Sequence, residues 1–290
     1  MPLCTLHLLA LHNTTPNPIL TFLSTLKSSN TSPLVVSRVI RWIILPSQIS
    51  TEHLLARNIQ WDILLILPNT AALPSDLAKL VQHHWSVTAG VPSRLIQDFS
   101  KKNAQLLHPD PSALPKLATQ AANKTTTSAQ SLELSADLDA WIREFTSTGR
   151  PEAQGAVSMF NLLSFNPGLK SEYLKYGAAF SSSIGSRHGG NAKIVGNVTH
   201  VNGVALPKAP EAVDSSVSAN GEVEPAAGVW NEIALAHYPS ILHFREMLAS
   251  EDYQSVNKRF RVPSLRDTCI LMTSEIAVEG LMGGGGAAKL

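Results

Sequence analysis

Charge is scarce in this chain. Asp, Glu, Lys and Arg make up 16% of its 290 residues and the formal net charge is +1, where a soluble domain usually carries about a quarter charged residues. No basic run interleaves with aromatics, so the sequence offers neither the field nor the stacking groups of a nucleic-acid binder or an anionic-lipid binder. Cysteine is nearly absent. Cys4 and Cys269 lie near opposite ends, each inside an apolar run, where a cysteine reads as a small buried hydrophobe and two make no disulfide framework. No apolar run reaches 18 residues, the length a membrane-spanning helix needs. There is no H-E-x-x-H, C-x-x-C, phosphate-cradling glycine loop or G-x-S-x-G, so the expected site uses neither metal nor cofactor.

Hydrophobic residues are plentiful, at 44%, and their spacing alternates between strand and helix periods. Leu3–Leu11 reads as a first strand rather than a signal peptide. Pro16 and Pro18 open a helix carrying Ile19, Phe22, Leu23 and Leu26. Strands are expected over Leu34–Leu45 and Ile59–Leu67, a helix from Pro74, a strand over Trp85–Val91, and a last helix from Pro92. Residues 108–135 are rich in Pro, Ala, Thr and Ser and read as a flexible linker. Ser135 then starts a short amphipathic helix that Gly149 ends.

The second half repeats the order. Val157–Phe165 is a strand closed by Asn166-Pro167-Gly168. A helix follows to about His188 and stops at Gly189-Gly190. Ala192–Val201 and Trp230–Tyr238 are strands separated by a solvated insertion over 206–228, and a helix from Pro239-Ser240 leads to a final strand at Thr268–Ile276. Both halves therefore read βαββαβ. A four-stranded antiparallel sheet with helices on one face needs its other face covered, and two such sheets in one chain cover each other. Residues 277–290 read as a flexible tail. It holds Gly283–Gly286 and ends in Ala288-Lys289-Leu290, a close variant of the S-K-L peroxisomal address. The expected location is therefore peroxisomal or cytoplasmic.

The second half resembles a known family through Met159-Phe160-Asn161-Leu162-Leu163-Ser164-Phe165, Tyr173-Leu174-Lys175-Tyr176 and Arg187-His188-Gly189-Gly190. The likeness continues in Trp230-Asn231-Glu232, Tyr238-Pro239-Ser240 and Arg261 with Leu265-Arg266-Asp267-Thr268. On these residues it resembles the dimeric α+β barrel superfamily, most closely the family called domain of unknown function 1330. The resemblance implies α+β architecture with two tandem ferredoxin-like units forming an intramolecular dimeric barrel. Its parts are an N-terminal lobe at 1–107, the linker, a barrel-like domain at 136–276 and the tail. That superfamily includes cofactor-free monooxygenases, isomerases, haem-degrading enzymes, dehalogenating enzymes and proteins without known activity.

Within that frame His188 is a candidate general acid or base, because imidazole titrates near neutrality. Asn161, an amide in the middle of an apolar strand, is either a structural hydrogen-bonding residue or a pocket group. Lys258, Arg259, Arg261 and Arg266 cluster before the last strand. An arginine folded inward from that cluster suits a carboxylate or enolate, and Arg261 is the candidate. Tyr176, Trp230 and Tyr238 are the expected substrate-binding aromatics. Two functions fit: an isomerase or oxygenase acting on an aromatic or polyketide-like small molecule, and a non-catalytic binding or assembly module. A pseudo-dimer within one chain is expected, with no nucleic-acid or membrane partner and further self-association left open.

Overall fold

A computed structural model describes residues 1–117, 125–207 and 228–283. The first half consists of β1 (Leu3–Leu11), α1 (Pro18–Ser28), β2 (Val35–Ile44), β3 (Ile63–Leu67), β4 (Val81–Gly90) and α2 (Phe99–Leu107). Then come α3 (Ala136–Ser147), β5 (Val157–Phe165), α4 (Lys170–Ala179), β6 (Asn191–Val201), the two-residue β7 (Val204–Ala205) and β8 (Glu232–Tyr238). The chain finishes with α5 (Ile241–Ala249), α6 (Glu251–Val256), β9 (Leu265–Ser274) and α7 (Ile276–Gly283). The molecule is α+β, built on one large antiparallel sheet with helices packed outside it. None of the described helices is long and apolar enough to cross a membrane.

Strand order is β4-β1-β3-β2-β9-β5-β8-β6-β7, and β4 also pairs with β6. The sheet therefore closes on itself. Two seams join the halves: β2 on β9, where Arg38 faces Ser274, and β4 on β6, where Val87 faces Val201. Because side chains alternate along a strand, each strand sends one set inward. Leu6, Leu8, Leu64, Trp85, Phe160 and Leu235 meet in a core drawn from both halves. The outward set packs under helices. Leu9, Ile63, Leu65 and Leu67 lie under Phe22, Leu23 and Leu26 of α1, while Met159, Ile270 and Met272 lie with residues of α3 and α5.

Buried polar contacts lock the seams. Asp267 accepts N–H bonds from Ser47, Gln48 and Ile49 at 2.8–3.0 Å and a hydroxyl bond from Ser47 at 2.8 Å. Lys193, with its side chain 1% exposed, is ion-paired to Glu275 and donates to Asn103 of α2 at 2.7 Å. Asn103 in turn donates to Glu275 at 2.7 Å.

Several sequence expectations need correction. β4 begins at Val81, four residues before the expected Trp85, because exposed Gln82, His83 and His84 hide the apolar alternation at that end. β3 begins at Ile63 rather than Ile59. The helix expected from Pro92 is two pieces, Ser93–Ile96 and α2, separated where Asp98 takes the left-handed conformation at φ 56°. The end of the linker stretch is packed rather than flexible. Leu132 and Leu134 are buried, and the Ser131 carbonyl accepts from Asn257 at 2.8 Å. A composition averaged over the stretch conceals those two leucines. Likewise α7 occupies the start of the expected tail, with Ala277 and Val278 buried. Most of the 206–228 insertion and the residues after Gly283, including Ala288-Lys289-Leu290, lie outside the described residues.

Candidate functional site

The outward face of β5, β6 and β8 is lined by small side chains. Alternation puts Ala234 and Ala236 on the same side of β8 as Glu232 and Tyr238, and Ala192 joins them from β6. Gly177 and Ala178 sit opposite on α4. Between the sheet and that helix lies a cavity of about 380 Å³, within the range of small-molecule sites. The first half shows why it is open: there Ile63, Leu65 and Leu67 meet the Phe22 and Leu23 side chains and fill the same layer.

Polar groups converge on this cavity from four elements. Arg261 enters from the π-helical turn Asn257–Arg261 that continues α6. Only 2% of it is exposed, and its guanidinium donates to the Thr268 hydroxyl at 3.4 Å. Glu232, also buried, opens β8, and Tyr173 and Tyr176 descend from α4. Burial pushes the Tyr173 hydroxyl well above the ordinary tyrosine value. Glu232 pushes it the same way and Arg261 opposes them, so Tyr173 stays a neutral donor near pH 7. Tyr238 gives the cavity its ring, while its hydroxyl donates to Met247 Sδ at 3.3 Å. Tyr176 OH lies 3.4 Å from Tyr253 OH.

Of the residues singled out in the sequence, Asn161, Arg261, Tyr176 and Tyr238 line the cavity, and His188 and Trp230 do not. The Asn161 side chain donates to the carbonyls of Met159 at 2.9 Å and Ala234 at 3.4 Å. Its side-chain nitrogen therefore ties β5 to β8 where the residue borders the cavity. Lys258, Arg259 and Arg266 remain on the exposed side of the turn from which Arg261 folds inward.

His188 fails as the acid or base of this cavity. It ends the helical run after α4, with Nε2 3.6 Å from Asp252 Oδ1. The run stops there because Gly189 is left-handed at φ 70°, where a Cβ would fall 2.7 Å from Pro239. His188 is nearly buried outside this cavity's lining, and its Nε2 has no hydrogen-bond partner among the described residues. Trp230 precedes β8, so strand alternation does not extend to it. It turns into the barrel core, where its indole N–H donates to the Ser50 hydroxyl at 3.0 Å. His237 faces the barrel interior, opposite Tyr238. Burial first, then Lys193 and His243, lowers its pKa to about 3. Both thiols are buried, Cys4 being pushed up to about 11 by burial alone, which suits packing rather than nucleophilic chemistry.

Three contributors escaped the sequence reading. Glu232 had a findable signal, since it shares a strand face with Tyr238 and two alanines. Arg94 and Leu95 come from the first half, and nothing in a single sequence brings them to a cavity built mainly from the second.

No protein-family model matches the chain, so the narrower family resemblance rests on the quoted motifs alone. No curated protein matches it. Among solved structures, a dye-decolorizing protein from V. cholerae aligns over 96% of this chain and 95% of its own length. The identity is 12% and the TM-score 0.33, a likeness too slight to carry an argument about chemistry.

Proposed function

We propose that the protein binds a small, largely apolar molecule, aromatic or polyketide-like, through one acidic or enolic oxygen held by Arg261. The observation that carries this reading is a nearly inaccessible arginine lining a 380 Å³ cavity whose other walls are mostly apolar and aromatic, with Glu232, Asn161, Ser181 and Arg94 among them. A guanidinium grips a carboxylate or enolate through paired donors, and the small residues supply room for a ring. Glu232 on the same lining is the group suited to accept a proton from such a ligand while Arg261 holds the resulting anion. Isomerase or cofactor-free oxygenase chemistry is the catalytic extension of this binding.

The architecture behind this reading is a pair of diverged βαββαβ units closed into one barrel, the single-chain counterpart of a dimeric α+β barrel. Its support is the matching strand order of the halves, β4-β1-β3-β2 and β9-β5-β8-β6, and their reciprocal seams. The corresponding domain division keeps 1–107 and 136–276 as the two units.

A thermal-shift screen of phenolic and carboxylated aromatics tests the function. Stabilising ligands should lose their effect with Ala236→Leu, which fills the cavity. With Arg261→Met, acidic ligands should lose at least about tenfold in affinity, while uncharged analogues keep theirs. Binding unchanged in Ala236→Leu would overturn the proposal.

A further inference from the structure

A second cavity, about 470 Å³, adjoins the first, and the two share Arg94, Leu95, Phe180, Ser181 and Ala192 in their walls. The characters of the two differ. The inner one carries Arg261 and Glu232 among apolar residues, whereas the outer is lined by Arg94, Lys102 and Lys193 with no Asp or Glu in its lining. Lys193 is neutralised by Glu275, which lines a different cavity on the far side of Asn103. That leaves two cations. Among the described residues Arg94 and Lys102 have no acidic partner, and the Lys102 ammonium is steadied by the carbonyls of Arg94 at 3.2 Å and Gln97 at 2.9 Å. An ammonium has three protons, so one donor remains after those two bonds. Both cations belong to the first half, so the half with the filled outer face supplies the charge at the mouth of the other half's cavity.

We infer that the two cavities form one groove for an amphipathic anion. The ring or chain lies in the inner cavity, and a second anionic group, such as a carboxylate, sulfonate or phosphate, rests against Arg94 and Lys102 in the outer one. This rests on the reading of the inner cavity as a small-molecule site and adds to it a ligand class: an aromatic or polyketide-like compound bearing an anionic appendage. Unlike Arg261, the outer cations are solvated, so their contribution should fall with ionic strength.

The full chain can be titrated by fluorescence with 1-anilinonaphthalene-8-sulfonate and with its uncharged parent, N-phenyl-1-naphthylamine. The sulfonate should bind about tenfold more tightly than the parent at low salt, and the preference should vanish in high salt. Lys102→Gln, which lies outside the inner cavity, should weaken the sulfonate several-fold and leave the parent within about twofold, and adding Arg94→Gln should bring the loss for the sulfonate to about tenfold; both side chains are exposed, and circular dichroism checks that the fold persists. Equal affinity of the two probes for the native protein, or a sulfonate affinity indifferent to the double substitution, overturns the outer site. If Ala236→Leu leaves both probes bound as before, the inner-cavity reading fails first and this inference falls with it.

Discussion

The layer beneath α1 in the first half and the layer beneath α4 in the second are packed differently. Under α1 the first half packs Leu9, Ile63, Leu65 and Leu67 against Phe22, Leu23 and Leu26. Under α4 the second half places Ala234, Ala236 and Ala192 opposite Gly177 and Ala178, and a cavity results. Burying a leucine-sized side chain contributes about 1.5–3 kcal/mol, so the hollow face forgoes stability that the filled face has. The polar residue at the centre of each first strand follows suit. His7 in β1 sits with His84, Nδ1 to Nε2 at 2.8 Å, whereas Asn161 at the same place in β5 borders the cavity. The layer under α1 is filled and the layer under α4 is not, while the His7–His84 side of the first half borders a polar hollow of about 570 Å³.

The comparison presumes that both faces hang on the same closed barrel, and removing its buried ion pair tests that most severely. Lys193→Met should cost about 3–5 kcal/mol in urea denaturation, because Glu275 is left charged and buried. Adding Glu275→Leu should restore most of the loss. If the single substitution costs less than about 1 kcal/mol, the Lys193–Glu275–Asn103 cluster is not what holds α2 of the first half against the second.

A matched pair of substitutions addresses the faces themselves. Leu65→Ala should destabilise by about 2–5 kcal/mol through the cavity it opens, with ligand binding unaffected in the folded fraction. Ala236→Leu should change stability by less than about 1.5 kcal/mol while abolishing binding. Reversed sensitivities would show that the hollow face is packed in solution.

Acid reaches both halves through buried histidines. Burial and, secondarily, His84 lower His7 to about 4, and His237 lies at about 3, against about 6.5 for an exposed imidazole. The unfolded chain therefore takes up these protons first. Their contribution is complete above about pH 6.5 and is lost as pH falls towards the folded values, at most about 2 kcal/mol each by pH 5. His7→Gln and His237→Gln should each flatten the stability–pH slope over that window in chemical denaturation. Slopes equal to the native protein's would mean that neither imidazole is desolvated.

What could be read from the sequence follows from what is local. β1 is delimited by its apolar run, and Arg261 stands out because an arginine beside a strand can fold inward. The failures came where locality ends. Trp230 reads as part of a strand although β8 starts two residues later, and His188 reads as a pocket group although it lies outside the cavity's lining. Arg94 belongs to the first half and Asn161 to the second, and the β4–β6 seam brings their regions together. The outline of each half was thus legible, and the meeting of the halves was not.

The carboxylate of Asp267 gathers the backbone of Ser47, Gln48 and Ile49 from 220 positions earlier in the chain, and β2 waits for β9 across a similar gap. On the ribosome, everything before residue 265 emerges while that seam has no partner. The nascent first half carries Leu6, Leu8, Leu64 and Trp85 on a face that only later residues cover. Such long-range closure makes for slow folding and a sticky intermediate, so the yield of this protein in the cell is set by how long its earliest strands must wait for its last.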